Sequence, residues 1–169
     1  MRIKLTILLA MVIGLPAFAQ QTTIRFTDDV AFETGDTWSH KGRKYRLFGV
    51  QSCLRGTTYR STDGHEEDCG LRSIASLAAL FSTGTGLCQP VGSTRDGATF
   101  VVCAAAIDGA TVDVGTALIS SGAAFAATLP SGAPVSKAYA VAELTAKENH
   151  SGLWAGTFDH PIRLLIDGG

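Results

Sequence analysis

Alternation of apolar and polar positions is clearest over residues 34–54, read TGDTWSHKGRKYRLFGVQSCL. Along an extended chain Tyr45, Leu47 and Gly49 point one way and Arg46, Phe48 and Val50 the other. Lys41-Gly42 supplies turn chemistry between the two arms, so the stretch predicts a β-hairpin that opens a small barrel. Upstream, 24–26 and 30–32 read as short strands with Asp28-Asp29 between them. Residues 55–68 are polar, glycine-bearing and without a sustained period, and predict a loop whose acidic tip, 63–68, is solvated surface.

Helical spacing begins at Gly70. Leu71, Ile74, Ala78 and Phe81 share a face, with Leu77 beside them, so a first helix is expected over 70–81, ended by the Ser/Thr/Gly run 82–86. Short and long apolar runs at 87–91 and 100–107 predict strands around a turn at 92–97, and Asp108-Gly109 signals a hairpin into Thr111-Val112. Asp113 is placed to cap a short helix through Ser120 that Gly122 ends. A third, alanine-rich helix is expected over 136–149, with Tyr139, Ala142, Glu143 and Ala146 at spacings of three and four. Gly152-Leu153-Trp154 then closes against the core. The order of strands, helix, strands, helix, helix suits a mainly β, α+β domain, a five-stranded Greek-key barrel of the OB type with about three packed helices.

The ends and the composition alter this picture in three ways. Residues 1–19 have the form of a secretory signal peptide: Arg2 and Lys4, an apolar run over 5–15, then Pro16 and Ala17-Phe18-Ala19. That run falls short of the ~20 residues needed to span a bilayer. Cleavage after Ala19 leaves 20–169 as one domain, periplasmic or secreted, with no membrane span expected. Without Arg2 and Lys4 the 14 basic residues become 12 against 15 acidic ones, a formal charge of −3, which does not favour nucleic acid as a partner. The four cysteines, Cys53, Cys69, Cys88 and Cys103, predict two disulfides in an oxidising compartment. Of the three possible pairings, Cys53–Cys69 and Cys88–Cys103 are favoured because each closes a local excursion between neighbours. No C-x-x-C spacing supports zinc.

Gly35-Asp36-Thr37 followed by Arg46-Leu47-Phe48-Gly49-Val50 resembles the opening motif of the staphylococcal-nuclease-like (thermonuclease) family. Weaker points of similarity are the helix start at Cys69-Gly70, the helix from Val112-Asp113-Val114 to Gly122-Ala123, and the Tyr139, Glu143, Gly152-Leu153-Trp154 ending. The family reaction is calcium-dependent phosphodiester hydrolysis. A hard cation needs several oxygen ligands, a carboxylate must activate water, and two arginines must neutralise the phosphate. The resemblance puts a metal ligand at Asp36 and a phosphate-binding arginine at Arg46. It puts a neutral amide, Gln51, at the second metal carboxylate, Leu54 at the water-activating carboxylate and Ala98 at the second arginine. Base-stacking aromatics fall near Thr128 and Pro130, which do not stack.

The resemblance therefore implies a catalytically degenerate barrel, a pseudoenzyme with Asp36 and Arg46 as its residual site and no cofactor. The run YRLFGVQSCLRG with the later DCG further resembles secreted nuclease-like proteins named for biosynthesis of succinoglycan, an acidic exopolysaccharide. This implies a binding or accessory role with an oligosaccharide or an envelope protein as partner. The competing expectation is an active calcium-dependent endonuclease with relocated ligands. It needs Asp63, Glu66, Glu67 or Asp68 to fold beside Asp36, and Arg43, Arg55, Arg60 or Arg95 to supply the missing cation. His40, His65, His150 and His160 are scattered and expected at the surface, and Ser52 has no evident histidine partner for nucleophilic chemistry.

Overall fold

The computed structural model describes residues 23–26, 29–82, 86–107 and 109–167. Residues 1–19, where a signal peptide is expected, Asp28, residues 83–85 and Asp108 lie outside them. Among the described residues, twelve strands and four α-helices follow in chain order. The strands are β1 (Ile24–Phe26), β2 (Val30–Thr34), β3 (Thr37–His40), β4 (Arg43–Leu47), β5 (Val50–Ser52), β6 (Thr58–Arg60), β7 (Glu66–Asp68), β8 (Gly86–Ser93), β9 (Thr99–Ile107), β10 (Ala110–Asp113), β11 (Ala124–Ala126) and β12 (Thr157–Phe158). The helices are α1 (Cys69–Ser82), α2 (Val114–Ser120), α3 (Lys137–Glu148) and α4 (Pro161–Asp167), with a 3-10 turn at Gly152–Ala155.

The fold is mixed α+β around a strongly curled, half-barrel sheet. Strand order in that sheet is β1-β8-β9-β4-β3-β2, with β10 also on β9. β8 occupies one edge of β9 from Thr99 to Ala104, so β4 and β10 follow each other along the opposite edge. β5 leaves this sheet and pairs with β11, while β6, β7 and β12 form a third small sheet. The expected barrel-like α+β layout is therefore present, with more strands than five. β1 joins β8 rather than β2, and 58–68 is a hairpin rather than an open loop.

The hairpin of β3 and β4 forms as its pattern dictates. Lys41 and Gly42 take positive φ of 49° and 73°, the twist-matched two-residue turn. Trp38 and Tyr45 face each other across it with ring centroids 6.1 Å apart and nearly parallel, and Trp38 is sealed from solvent. One expectation fails at its end. Val50 is buried rather than opposed to Leu47, because Gly49 at φ 75° turns the chain between β4 and β5 and resets the alternation.

The helices carry the caps their sequences advertise. The Asp113 carboxylate accepts from Thr116 N at 2.7 Å at the start of α2, and the Ser136 hydroxyl accepts from Tyr139 N at the start of α3. α1 is rotated from the expected face. Leu71 is about half exposed, and Cys69, Gly70, Ser73 and Leu77 are buried instead. Two local constraints set that rotation. Cys69 is bonded to Cys53, and the Ser73 hydroxyl donates to Ala123 O at 2.7 Å while accepting from Cys53 N at 3.2 Å. Cys88–Cys103 links β8 and β9 at directly opposed positions. Both expected disulfide pairings are thus formed, which fits an oxidising, extracytoplasmic setting. No helix among the described residues is long and apolar enough to cross a membrane.

Two outcomes follow from this packing. A Cβ on Gly35 would sit 2.4 Å from Ser73 Cβ, whereas one on Gly92 would meet nothing within 4 Å. Gly35→Ala is expected to cost about 2–3 kcal/mol in urea unfolding, and Gly92→Ala under about 0.5 kcal/mol; equal effects would contradict the close sheet-to-helix contact. Burial first, and then the neighbouring Asp113 carboxylate, raise the Tyr139 phenol above its ordinary pKa of 10.0. A raised folded-state pKa gives stability that is whole below the unfolded pKa and is lost as pH climbs past about 10. The stability difference between Tyr139→Phe and the parent should therefore be flat below about pH 9 and move in the variant's favour at higher pH. Parallel profiles would contradict this.

Candidate functional site

Asp36 sits in the two-residue turn between β2 and β3, and is 2% exposed. Its neighbours arrive from three directions. Thr34 and Thr37 flank it in sequence. The β3–β4 register sets Arg46 directly across from Thr37, and Leu47 N donates to Asp36 O at 2.8 Å. The turn at Gly49 then brings β5 back, so that Gln51 and Ser52 reach the same point.

The carboxylate is fully engaged. Oδ1 accepts from the hydroxyls of Thr34 at 2.5 Å, Thr37 at 3.1 Å and Ser52 at 3.3 Å. Oδ2 accepts from Arg46 Nε at 3.1 Å and lies 3.1 Å from Arg46 Nη2. A carboxylate offers about four lone-pair positions, and four hydrogen bonds from the chain already converge on this one, beside the charge of Arg46. Arg46 Nη2 also donates to Gln51 Oε1 at 3.1 Å, and Gln51 Nε2 donates to Ser52 O at 3.0 Å. Asp36, Arg46, Gln51 and Ser52 thus form a closed chain of donors and acceptors.

The remaining expected positions contribute no chemistry to it. Leu54 is half-buried beyond β5, and its carbonyl accepts from the Thr57 hydroxyl at 2.7 Å. Ala98 is a buried methyl just before β9, its backbone tied to Thr94 across a turn. Thr128 forms an isolated bridge with Pro134 and Pro130 is exposed, and neither Thr128 nor Pro130 carries an aromatic ring to stack with. The candidate replacement acids are committed elsewhere. Glu66 pairs with Arg60, Glu67 with Arg72 at 2.5 Å, and Asp68 accepts from Gly56 N and Leu71 N and lies 3.7 Å from Arg55. Asp63 accepts from the Ser61 hydroxyl, which holds its carboxyl below the usual range, with His65 N a second donor. Arg43 and Arg95 are exposed. Of the histidines, His40 is buried and His160 half-buried against aromatic rings, correcting the surface expectation for both.

A calcium ion, implied if the site were hydrolytic, does not fit this donor set. Asp36 is the one carboxylate in the cluster, its oxygens are occupied, and the Gln51 oxygen already faces a guanidinium. Among the described residues no group of three His, Cys, Asp or Glu side chains is arranged to hold a metal ion.

Sequence reasoning missed the hydroxyls. Thr34 and Thr37 were visible as polar residues on either side of Asp36, and Ser52 was weighed only as a nucleophile. Just outside the cluster, Arg46 is about one-third exposed, Phe48 is 40% exposed, and Phe48 meets Phe100 edge to face with centroids 5.6 Å apart. Arg46 and Phe100 are register partners across β4 and β9, so a cation and two aromatic rings share this surface. Beside it Glu33 accepts from Lys44 and Ser39, which hold its carboxyl below the usual range. Comparison of the chain with protein-family models finds no match, and comparison with curated proteins finds no similar one.

Asp36→Asn keeps the shape of the side chain and removes its charge. It leaves Arg46 without its counter-ion and turns acceptor oxygen into donor NH2 among donors. A loss of about 2–4 kcal/mol is expected by chemical denaturation, discounted for the exposed side of Arg46. A stability change below about 0.5 kcal/mol would show that the cluster is not structural.

Proposed function

We propose that this chain is an exported, thermonuclease-like barrel of the OB type whose hydrolytic site has become a structural node. In this reading the domain binds an oligosaccharide and has an accessory role in exopolysaccharide handling in the periplasm or outside the cell. The observation that carries the reading is the saturation of Asp36 by three hydroxyls and a guanidinium. A group in that state is a poor metal ligand, and loss of a base, a cation and a ligand together removes the main sources of catalysis in phosphodiester hydrolysis.

The binding half of the reading rests on the surface beside the cluster. Arg46 offers a cation held in place by Asp36 and Gln51, and Phe48 with Phe100 offers apolar ring surface for sugar faces. Barrels of this type bind oligosaccharides as well as oligonucleotides, and the acidic balance of the chain disfavours the latter.

The test has two arms. Purified protein incubated with single-stranded DNA and millimolar calcium is expected to leave the DNA intact; shortening that disappears in Asp36→Ala would establish the endonuclease reading instead. Calorimetry with fragments of an acidic exopolysaccharide is expected to show binding that weakens about tenfold in Phe48→Ala. Undetectable binding, or binding indifferent to Phe48, would remove the saccharide assignment.

A further inference from the structure

A second concavity lies away from Asp36, between α3, α4, the end of β11 and the segment 128–134. It encloses about 420 Å³, within the range of small-molecule sites. Its walls are mostly apolar: Ala126, Pro134, Ala140, Leu144, Ile162 and the ring of Trp154. Leu144 is 60% exposed, an apolar side chain at the rim.

The polar groups in this cleft are asymmetric in charge. Glu143 supplies its carboxylate, and that carboxylate is consumed internally. Oε2 accepts from Ala126 N at 2.7 Å, and Oε1 lies 3.2 Å from His160 Nε2. His160 Nδ1 accepts from Ile162 N at 3.3 Å, so the ring proton resides on Nε2 and is donated to Glu143. Lys147 and Arg163 also line the cleft, and neither forms an ion pair among the described residues. Lys147 Nζ stands 5.5 Å from the centre of the Trp154 ring. Glu148, which lines the adjoining groove with Lys147 and Trp154, is not paired with that lysine.

We propose that this cleft binds a small amphipathic anion, a carboxylate with an aliphatic or aromatic body. The apolar walls and Trp154 take the body, and Lys147 with Arg163 takes the charged head. The Glu143–His160 pair fixes the wall by tying α3 to the start of α4 and to β11. This site shares no residue with the Asp36 cluster, so its fate is separate from that of the reading above.

Decanoate and decanol serve as charged and uncharged probes, followed by tryptophan fluorescence. Trp154 lies in the cleft and Trp38 is sealed in the core. Decanoate is expected to give a saturable change and decanol to bind at least about tenfold more weakly. Lys147→Gln with Arg163→Gln, both at exposed positions where folding is not at risk, should weaken decanoate about tenfold and leave decanol unchanged. Leu144→Asp should weaken both. Absence of saturable decanoate binding below millimolar concentration, equal binding of the two probes, or indifference to the double variant would each overturn the proposal.

Discussion

One buried carboxylate organises the centre of this molecule. Asp36 is almost wholly removed from water, and an ionised carboxylate there is tolerable only because donors converge on both oxygens. Those donors come from the β2–β3 turn, from β4 and from β5, so satisfying one charge fixes the relative positions of three strands. Arg46 is held twice over, by Asp36 and by Gln51, and so cannot swing freely toward solvent. The same arrangement that makes the carboxylate a good anchor makes it a poor ligand for anything else.

Around that node the chain adds close approach and covalent ties to its buried apolar core. Gly35 lets the turn carrying Asp36 press against Ser73 of α1, and Ser73 in turn bonds to Cys53 and to Ala123. The Cys53–Cys69 bridge fixes the start of α1 beside β5, and Cys88–Cys103 clamps the long β8–β9 pair. A bridge over a loop of this length contributes about 3 kcal/mol by restricting the unfolded chain. The site side of the curled sheet is therefore tied at several points, and its chemistry is set by which side chains the hairpin delivers.

Much of this was legible in the residues. The β3–β4 hairpin, the two capped helices and the disulfide partners follow from local signals: Lys41-Gly42, Asp113, Ser136 and cysteines at short separation. What escaped were features decided by tertiary contacts. The rotation of α1 depends on Ser73 and Cys69, which pattern reading treats as polar and neutral, while it assigns Leu71 to the core. Residues 58–68 bury a single large apolar side chain, Tyr59, against Cys53, Cys69, Phe125 and Leu153, and the hairpin is otherwise held by Arg60–Glu66, Arg72–Glu67 and pairing with β12, so no apolar alternation shows in the sequence. Asp36 and Arg46 were found as a pair; the hydroxyls that saturate Asp36 were not, since threonine and serine near an acid carry no distinguishing spacing.

The central claim is that Asp36 has no coordination capacity left, and direct observation of its carboxyl carbon by NMR during calcium titration tests it. The account expects the Asp36 resonance to hold its position through millimolar calcium while exposed carboxylates such as Glu66 drift weakly with the salt. A saturable shift of Asp36 at stoichiometric calcium would contradict it.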